Sequence, residues 1–206
     1  MAFTENLCVV IQMPELSRDI KSASNVLLKA LKTINEAHLA HFSRRTHPEI
    51  GLVKHVRKKL LDRTDVKVLP TTKGLHEAYG EIVFLRQPDV DLSFQYRNLL
   101  HGVEFKVLRK VSFYSGLEEA IAYSTYGMDF SWIVHFFRRS FESAKNYERW
   151  MKFAIERSKC PSIGYVTSTA QRPKVVAYPK KPFRCGNEKD LEEVVSSIRR
   201  ELVARS

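Results

Sequence analysis

Residues 88–107 read PDVDLSFQYRNLLHGVEFKV. Two apolar, alternating runs, DVDLSFQY and GVEFKVLRKV, sit on either side of RNLLH, which predicts two β-strands joined by that segment. The core-side pattern is interrupted by Asp89, Asp91, Glu104 and Lys106. An unpaired charge taken out of water is so costly that the group normally neutralises instead. Three carboxylates and an ammonium in two apolar strands therefore call for a compensating partner, and a divalent cation is the first candidate.

Upstream, Ile20, Leu27, Leu31, Ile34 and His38 recur at helical spacing and predict one amphipathic helix from Ser17 to about residue 42, after a short strand in LCVVIQM. SRRTHPE is a break. PEIGLVKHVRKKLLDR predicts a second helix with Ile50, Val53, Val56 and Leu60 on its apolar stripe and Lys54, Arg57, Lys58 and Lys59 on its exposed side. DVKVLP reads as a strand, TTKGLHEAYG as a loop and EIVFLR as an extended piece. Downstream, Ser115 and Glu118 fit a capping box opening a helix through Leu117, Ala120, Ile121 and Ser124, with Gly127 at its C-terminal cap. FSWIVHFF is continuously apolar, as a strand covered on both faces should be. SAKNYERWMKFAIERS predicts a helix through Tyr147, Trp150, Met151 and Ala154. SIGYVTS and KVVAYP predict strands, and NEKDLEEVVSSIRRELVARS a final helix through Leu191, Val194, Val195, Ile198 and Leu202. The expected fold is α/β, a mixed central sheet flanked by helices. Residues 1–45 are expected to form a helical extension packed on an α/β domain of residues 46–206.

The 206 residues suffice for one substantial core. No apolar run approaches the ~20 residues of a membrane span, and the N-terminal stretch lacks the basic region of a secretory leader, so a soluble, cytoplasmic protein is expected. Cys8, Cys160 and Cys185 are scattered, with no CxxC, so neither a zinc knuckle nor a redox motif is supported. Thirty-four Lys and Arg against 23 acids leave a net charge of +11. Such a field attracts polyanions, nucleic acid first among them.

Alternation places Asp89 and Asp91 on one face and Glu104 and Lys106 together, roughly 7 Å apart along their strand. If the strands pair, one Asp and Glu104 converge on a point. Hard oxygen ligands suit Mg²⁺ or Mn²⁺, and the Phe105 carbonyl offers another oxygen. Lys106 would offset the carboxylates and hold or help deprotonate an attacking water.

PDVD followed by GVEFKV resembles the PD-(D/E)xK nuclease superfamily, which includes restriction endonucleases and archaeal Holliday-junction resolvases. The resemblance spans about residues 48–137. It implies a restriction-endonuclease-like core, with the N-terminal helix as an addition, and an Mg²⁺- or Mn²⁺-dependent deoxyribonuclease. The metal would be held by Asp91, with Asp89 as the other candidate or a second ligand, and by Glu104 and Phe105, while Lys106 positions the nucleophile. Some members carry Gln-x-x-x-Tyr on the crossover helix, which here reads Glu119 and Tyr123. Glu49, the only acid near the start of helix 48–62, is assigned no role. The resemblance further implies DNA as substrate, selected by branched or junction structure, and pairing into a homodimer. The alternatives are a DNA-binding protein that does not cleave and an intracellular interaction domain.

Lys58, Lys59, Arg138, Lys180, Lys181 and Arg184 are the candidate DNA-backbone contacts. Phe94, Tyr96, Phe113, Tyr114, Trp132 and Trp150 fall at core spacing, with Tyr96 or Tyr114 the candidates for stacking on a base. His38 and His41 lie one turn apart without an acid or cysteine to complete a metal set. His135 reads as a buried, satisfied imidazole. No GxSxG, GxxxxGK[ST] or GxGxxG occurs.

Overall fold

A computed structural model describes residues 13–43, 47–70, 89–108, 115–137, 144–183 and 189–205. Six strands lie in one sheet in chain order: β1 (Val66–Val68), β2 (Leu92–Tyr96), β3 (Leu99–Leu108), β4 (Phe130–Phe137), β5 (Ile163–Thr169) and β6 (Arg172–Ala177). β1, β2 and β3 form an antiparallel meander, β3, β4 and β5 run parallel, and β6 turns back antiparallel on β5. Parallel neighbours need crossovers. These contain α4 (Leu117–Ala122), continued by a 3-10 turn at Tyr123–Tyr126, and α5 (Ala144–Arg157). The remaining helices are α1 (Met13–Lys32), α2 (Glu36–Ser43), α3 (Pro48–Leu61) and α6 (Lys189–Ala204).

Strand alternation divides the core into two layers. Val103, Phe105, Trp132 and Val134 face α1 and α3, meeting Leu27, Leu31, Val56 and Leu60. On the opposite face, Ile133 and Tyr165 meet Ala120 of α4 and Tyr147, Met151 and Ile155 of α5. Leu100 on that face joins Tyr123, Tyr126, Ile198 and Leu202, which docks α6. The described N-terminal helices thus share one core with the sheet. β4 is buried at all eight positions, as a strand covered on both faces should be.

Several expectations change. The helix expected from Ser17 to about residue 42 is two helices. Thr33 Oγ1 bonds back to Ala30 O at 2.7 Å, and Asn35 Oδ1 caps α2 by accepting from His38 N at 2.9 Å. The β2–β3 connection shrinks to Arg97 and Asn98, because Leu99 pairs Tyr96 and Leu100 pairs Gln95. Arg97 takes φ 54° there. On α3 the buried stripe is Leu52, Val56 and Leu60, and Ile50 is exposed. Gly51 sets that rotation, since a Cβ there would lie 2.4 Å from the Phe42 ring of α2. On α5 the buried stripe is Tyr147, Met151 and Ile155, so Trp150 faces water instead of the core.

The predicted capping box fails. α4 starts after Gly116, whose φ of 84° supplies the turn with no side-chain cap. Gly127, at φ 74°, does end the helical segment, as expected. LCVVIQ, TTKGLHEAYG, EIVFLR, Phe113, Tyr114, Cys8 and Cys185 lie outside the described residues, as do the side chains of Leu191 and Val194. No described helix is long and apolar enough to cross a membrane.

β4 and β5 approach closely at Gly164, where a Cβ would sit 2.4 Å from the Trp132 ring and 2.9 Å from Pro179. Gly164→Ala is expected to destabilise the fold by about 1–3 kcal/mol through overpacking. A lower urea midpoint at unchanged m-value is the readout.

Candidate active site

The β2–β3 register pairs Leu92 with Val103. One step further it sets Asp91 opposite Glu104, on the sheet face that carries α4 and α5. β2 begins only at Leu92, so Asp91, just before it, is free of the ladder and its side chain takes over the ladder's work. Asp91 Oδ2 accepts the Phe105 N–H at 2.8 Å. A strand residue directs its N–H and C=O to the same edge, so the Phe105 carbonyl points to Asp91's side of β3.

Glu104 is 4% exposed. Its Oε1 lies 2.6 Å from Lys106 Nζ, and its Oε2 accepts the Tyr123 hydroxyl. That hydroxyl also lies 3.3 Å from the Asp89 carbonyl and accepts from Asp91 N at 3.4 Å, which ties the two motif segments to the start of the 3-10 turn. Lys106 Nζ reaches a second carboxylate, Glu119 Oε1 of α4, at 2.9 Å. Gly116 brings α4 this close, since a Cβ there would stand 3.1 Å from Glu104 Cγ and 3.5 Å from Lys106 Cε. Behind Lys106, His135 Nε2–H donates to Ser115 O at 2.8 Å and its Nδ1 accepts from Tyr165 Oη at 3.1 Å. Burial pushes this imidazole down to about 4, so it is a neutral, satisfied support, as expected from sequence.

Burial, followed by the Glu104 charge, pushes the Asp91 carboxyl up to about 7 against the pull of the Phe105 N–H and Lys106. Burial also raises Glu104, opposed by Lys106 and Tyr123. For Lys106, burial alone would favour the neutral amine, but the bonds to Glu104 and Glu119 outweigh it and hold an ammonium. Glu119, though partly buried, is lowered by the same ammonium. Lys106 is therefore a charge and a hydrogen-bond donor here, and not a proton acceptor.

Neighbouring carboxyls shielded from water take up either a proton or a small cation. Among the described residues, no three His, Cys, Asp or Glu side chains assemble as a metal set. Mg²⁺ needs no such cage, since it is commonly bound by one or two carboxylates plus waters and substrate phosphate. Asp91, Glu104 and the Phe105 carbonyl are hard oxygen donors that fit Mg²⁺ or Mn²⁺.

The structure brings Asp91, Glu104, Lys106, Glu119 and Tyr123 together. Asp89 is exposed, and its backbone carbonyl is what meets the cluster. Glu49, given no role from sequence, reaches the same strand edge, where its Oε1 accepts Val107 N at 3.2 Å. The signal for it was its place in the first turn of α3, but nothing in that helix reports where it docks. The nominated basic groups among the described residues lie elsewhere. Lys180 N and Lys181 N both donate to Pro161 O, just before β5 begins, whereas Lys106 aligns with the far part of β4 and β5 through His135 and Thr167. Lys58 and Lys59 sit near the end of α3 on the other sheet face. Arg138 and Arg184 are outside the described residues. No family model, curated protein or solved structure matches the chain.

The folded protein holds the Asp91 proton more tightly than the unfolded chain. Its contribution to stability is complete below the ordinary carboxylate value of 3.8 and is lost as pH rises through about 7. Buried His101 and His135, both pushed down to about 4, act in the opposite direction over the same window. The informative quantity is thus the difference between wild type and Asp91→Asn in chelator. The carboxamide of the variant needs no proton, so the variant should gain on wild type by on the order of 1–3 kcal/mol between pH 5 and pH 8. Urea unfolding profiles that stay parallel would show that the folded protein does not hold the Asp91 proton more tightly.

Proposed function

We propose that this chain is an Mg²⁺- or Mn²⁺-dependent nuclease that hydrolyses phosphodiester bonds in DNA, selecting branched or junction structure over sequence. The observation that carries the reading is the convergence of Asp91, Glu104 and Lys106, with the Asp91 carboxylate 2.8 Å from the Phe105 amide between the other two and the ammonium 2.6 Å from Glu104. The order α3, antiparallel β1–β2–β3, α4 and parallel β4 supports a restriction-endonuclease-like core. The net charge of +11 supports a polyanionic substrate. Pairing into a homodimer would bring two such centres to two strands.

Asp91, Glu104 and the Phe105 carbonyl would hold the cation. When bound, the cation supplies Lewis-acid polarisation of the phosphodiester and a lowered pKa for coordinated water. Lys106 donates hydrogen bonds to the attacking water or to a phosphate oxygen, stabilising negative charge as it builds on phosphorus. Tyr123 fixes the Glu104 carboxylate, and Glu119 restrains the Lys106 side chain. The Asp91 carboxyl, pushed up to about 7, is poised to lose its proton near neutral pH when a cation takes its place.

The second ion pair, Lys106–Glu119 at 2.9 Å, favours a second reading, a DNA-binding protein that does not cleave, because it draws the ammonium away from a nucleophile. A substrate panel of duplex, single strand, flap and four-way junction separates the two. In Mg²⁺ or Mn²⁺ the wild type is expected to cut at least one of them. Lys106→Ala and Glu104→Ala should each lose about 10²- to 10³-fold in rate, with the fold and salt-sensitive binding retained. Binding without any cutting would leave the second reading standing.

A further inference from the structure

The face of α5 turned away from the sheet has an unusual composition. Trp150 and Phe153 are 51% and 46% exposed, one turn apart, because the buried stripe runs through Tyr147, Met151 and Ile155. Their rings meet edge to face at 6.0 Å, and the Arg157 guanidinium lies 5.2 Å from the Phe153 ring centre. Asn146, Arg149 and Lys152 border these rings along a groove of about 580 Å³. Lys152 and Glu156 also line a second groove of about 560 Å³, so the two adjoin across these side chains. The second leads past Lys159 to Lys180 and to Tyr178, which is 44% exposed. Glu148, the other acid of α5, is engaged by Thr167 at 2.8 Å and by Lys174 at 2.7 Å.

We infer that this track of three exposed aromatics interleaved with cations binds an unpaired polynucleotide strand, with bases stacked on Trp150, Phe153 and Tyr178 and phosphates held by Arg149, Lys152, Lys159 and Lys180. A positively charged groove combined with aromatic faces is how single strands are held without regard to sequence. A duplex keeps its bases stacked on each other and presents mainly phosphates, leaving the aromatic rings without a partner. Lysine is depleted at protein–protein interfaces, whereas Lys152, Lys159 and Lys180 line these grooves. The chain's charge of +11 complements a polyanion.

The position of the track connects it to the candidate centre. Glu148, in the first part of α5, bonds Thr167, Thr167 lies beside His135, and His135 lies beside Lys106 in the strand registers. Two strand spacings, roughly 10 Å, therefore separate the Lys106 strand from the strand on which α5 begins. α5 then runs about 20 Å back along the sheet, past Trp150 and Phe153 towards Lys180. A junction or flap would engage its paired part at the carboxylate centre and its unpaired part on α5. This deepens the nuclease reading, and rests on it for where the bound strand is cut but not for the binding itself.

The test uses the full chain in chelator with a short oligo(dT) as probe. Of the two tryptophans, Trp132 is fully buried and Trp150 exposed, so quenching of exposed-indole emission reports stacking at Trp150 directly. Oligo(dT) is expected to quench that emission. The double variant Trp150→Ala/Phe153→Ala should weaken oligo(dT) binding by about 30-fold or more, with thermal stability and blunt-duplex affinity unchanged. Arg149→Gln should reduce the salt dependence of oligo(dT) binding. Absent quenching at saturation, or unchanged affinity in the double variant, overturns the inference. Cleavage of DNA without quenching refutes the strand track alone, and quenching without cleavage of any substrate refutes the nuclease reading alone.

Discussion

Two neighbouring carboxyls, half-buried Asp91 and buried Glu104, are the constraint around which this sheet is arranged. Neither can be ionised cheaply beside the other in a low-dielectric setting. The surroundings supply what water would have supplied. Lys106 and Tyr123 take different oxygens of Glu104, and the Phe105 amide takes Asp91. Even the crossover helix is shaped by the pair. Its first turn is entered through Gly116 in the left-handed region because a side chain there would press on Glu104 and Lys106. The balance remains short of full neutralisation, and Asp91 is left near 7, where proton and cation compete for it.

The second structural theme is a strand edge finished by side chains. β3 extends well past the start of β2, and its Phe105 and Val107 amides face the side that β2 leaves open. Asp91 and Glu49 accept those two amides in sequence, so carboxylates replace a neighbouring strand. Buried backbone donors are rarely left unpaired, and an open edge invites pairing with another chain. The same arrangement anchors α3 at its N-terminus and holds an acid beside the strand that bears Glu104 and Lys106. Closing the edge and building the site are one set of bonds.

Some of this was legible in the residues. Alternation alone places Glu104 and Lys106 on one face, and the unbroken apolar run of β4 announces a central strand. Gly127 marks the end of its helical segment because few other residues adopt its conformation. Other features were not legible for identifiable reasons. Ser115 and Glu118 look like a cap, yet the Ser115 carbonyl is claimed by His135, twenty residues away, and glycine makes the turn. Trp150 falls at helical spacing with Tyr147 and Met151, but periodicity identifies a stripe without fixing its edges, and the sheet selects Ile155 instead.

By itself, the sequence determined the α/β class, the basic character, and the placing of Glu104 and Lys106 on one face, since each follows from local periodicity or composition. Only tertiary structure decided that Asp91 and not Asp89 meets Glu104, that Glu49 reaches β3, that Lys180 and Lys181 lie away from Lys106, and that the outer face of α5 carries bare aromatics. These depend on where β2 begins and how each helix rotates on the sheet. Those are long-range packing choices, and no window of neighbouring residues records them.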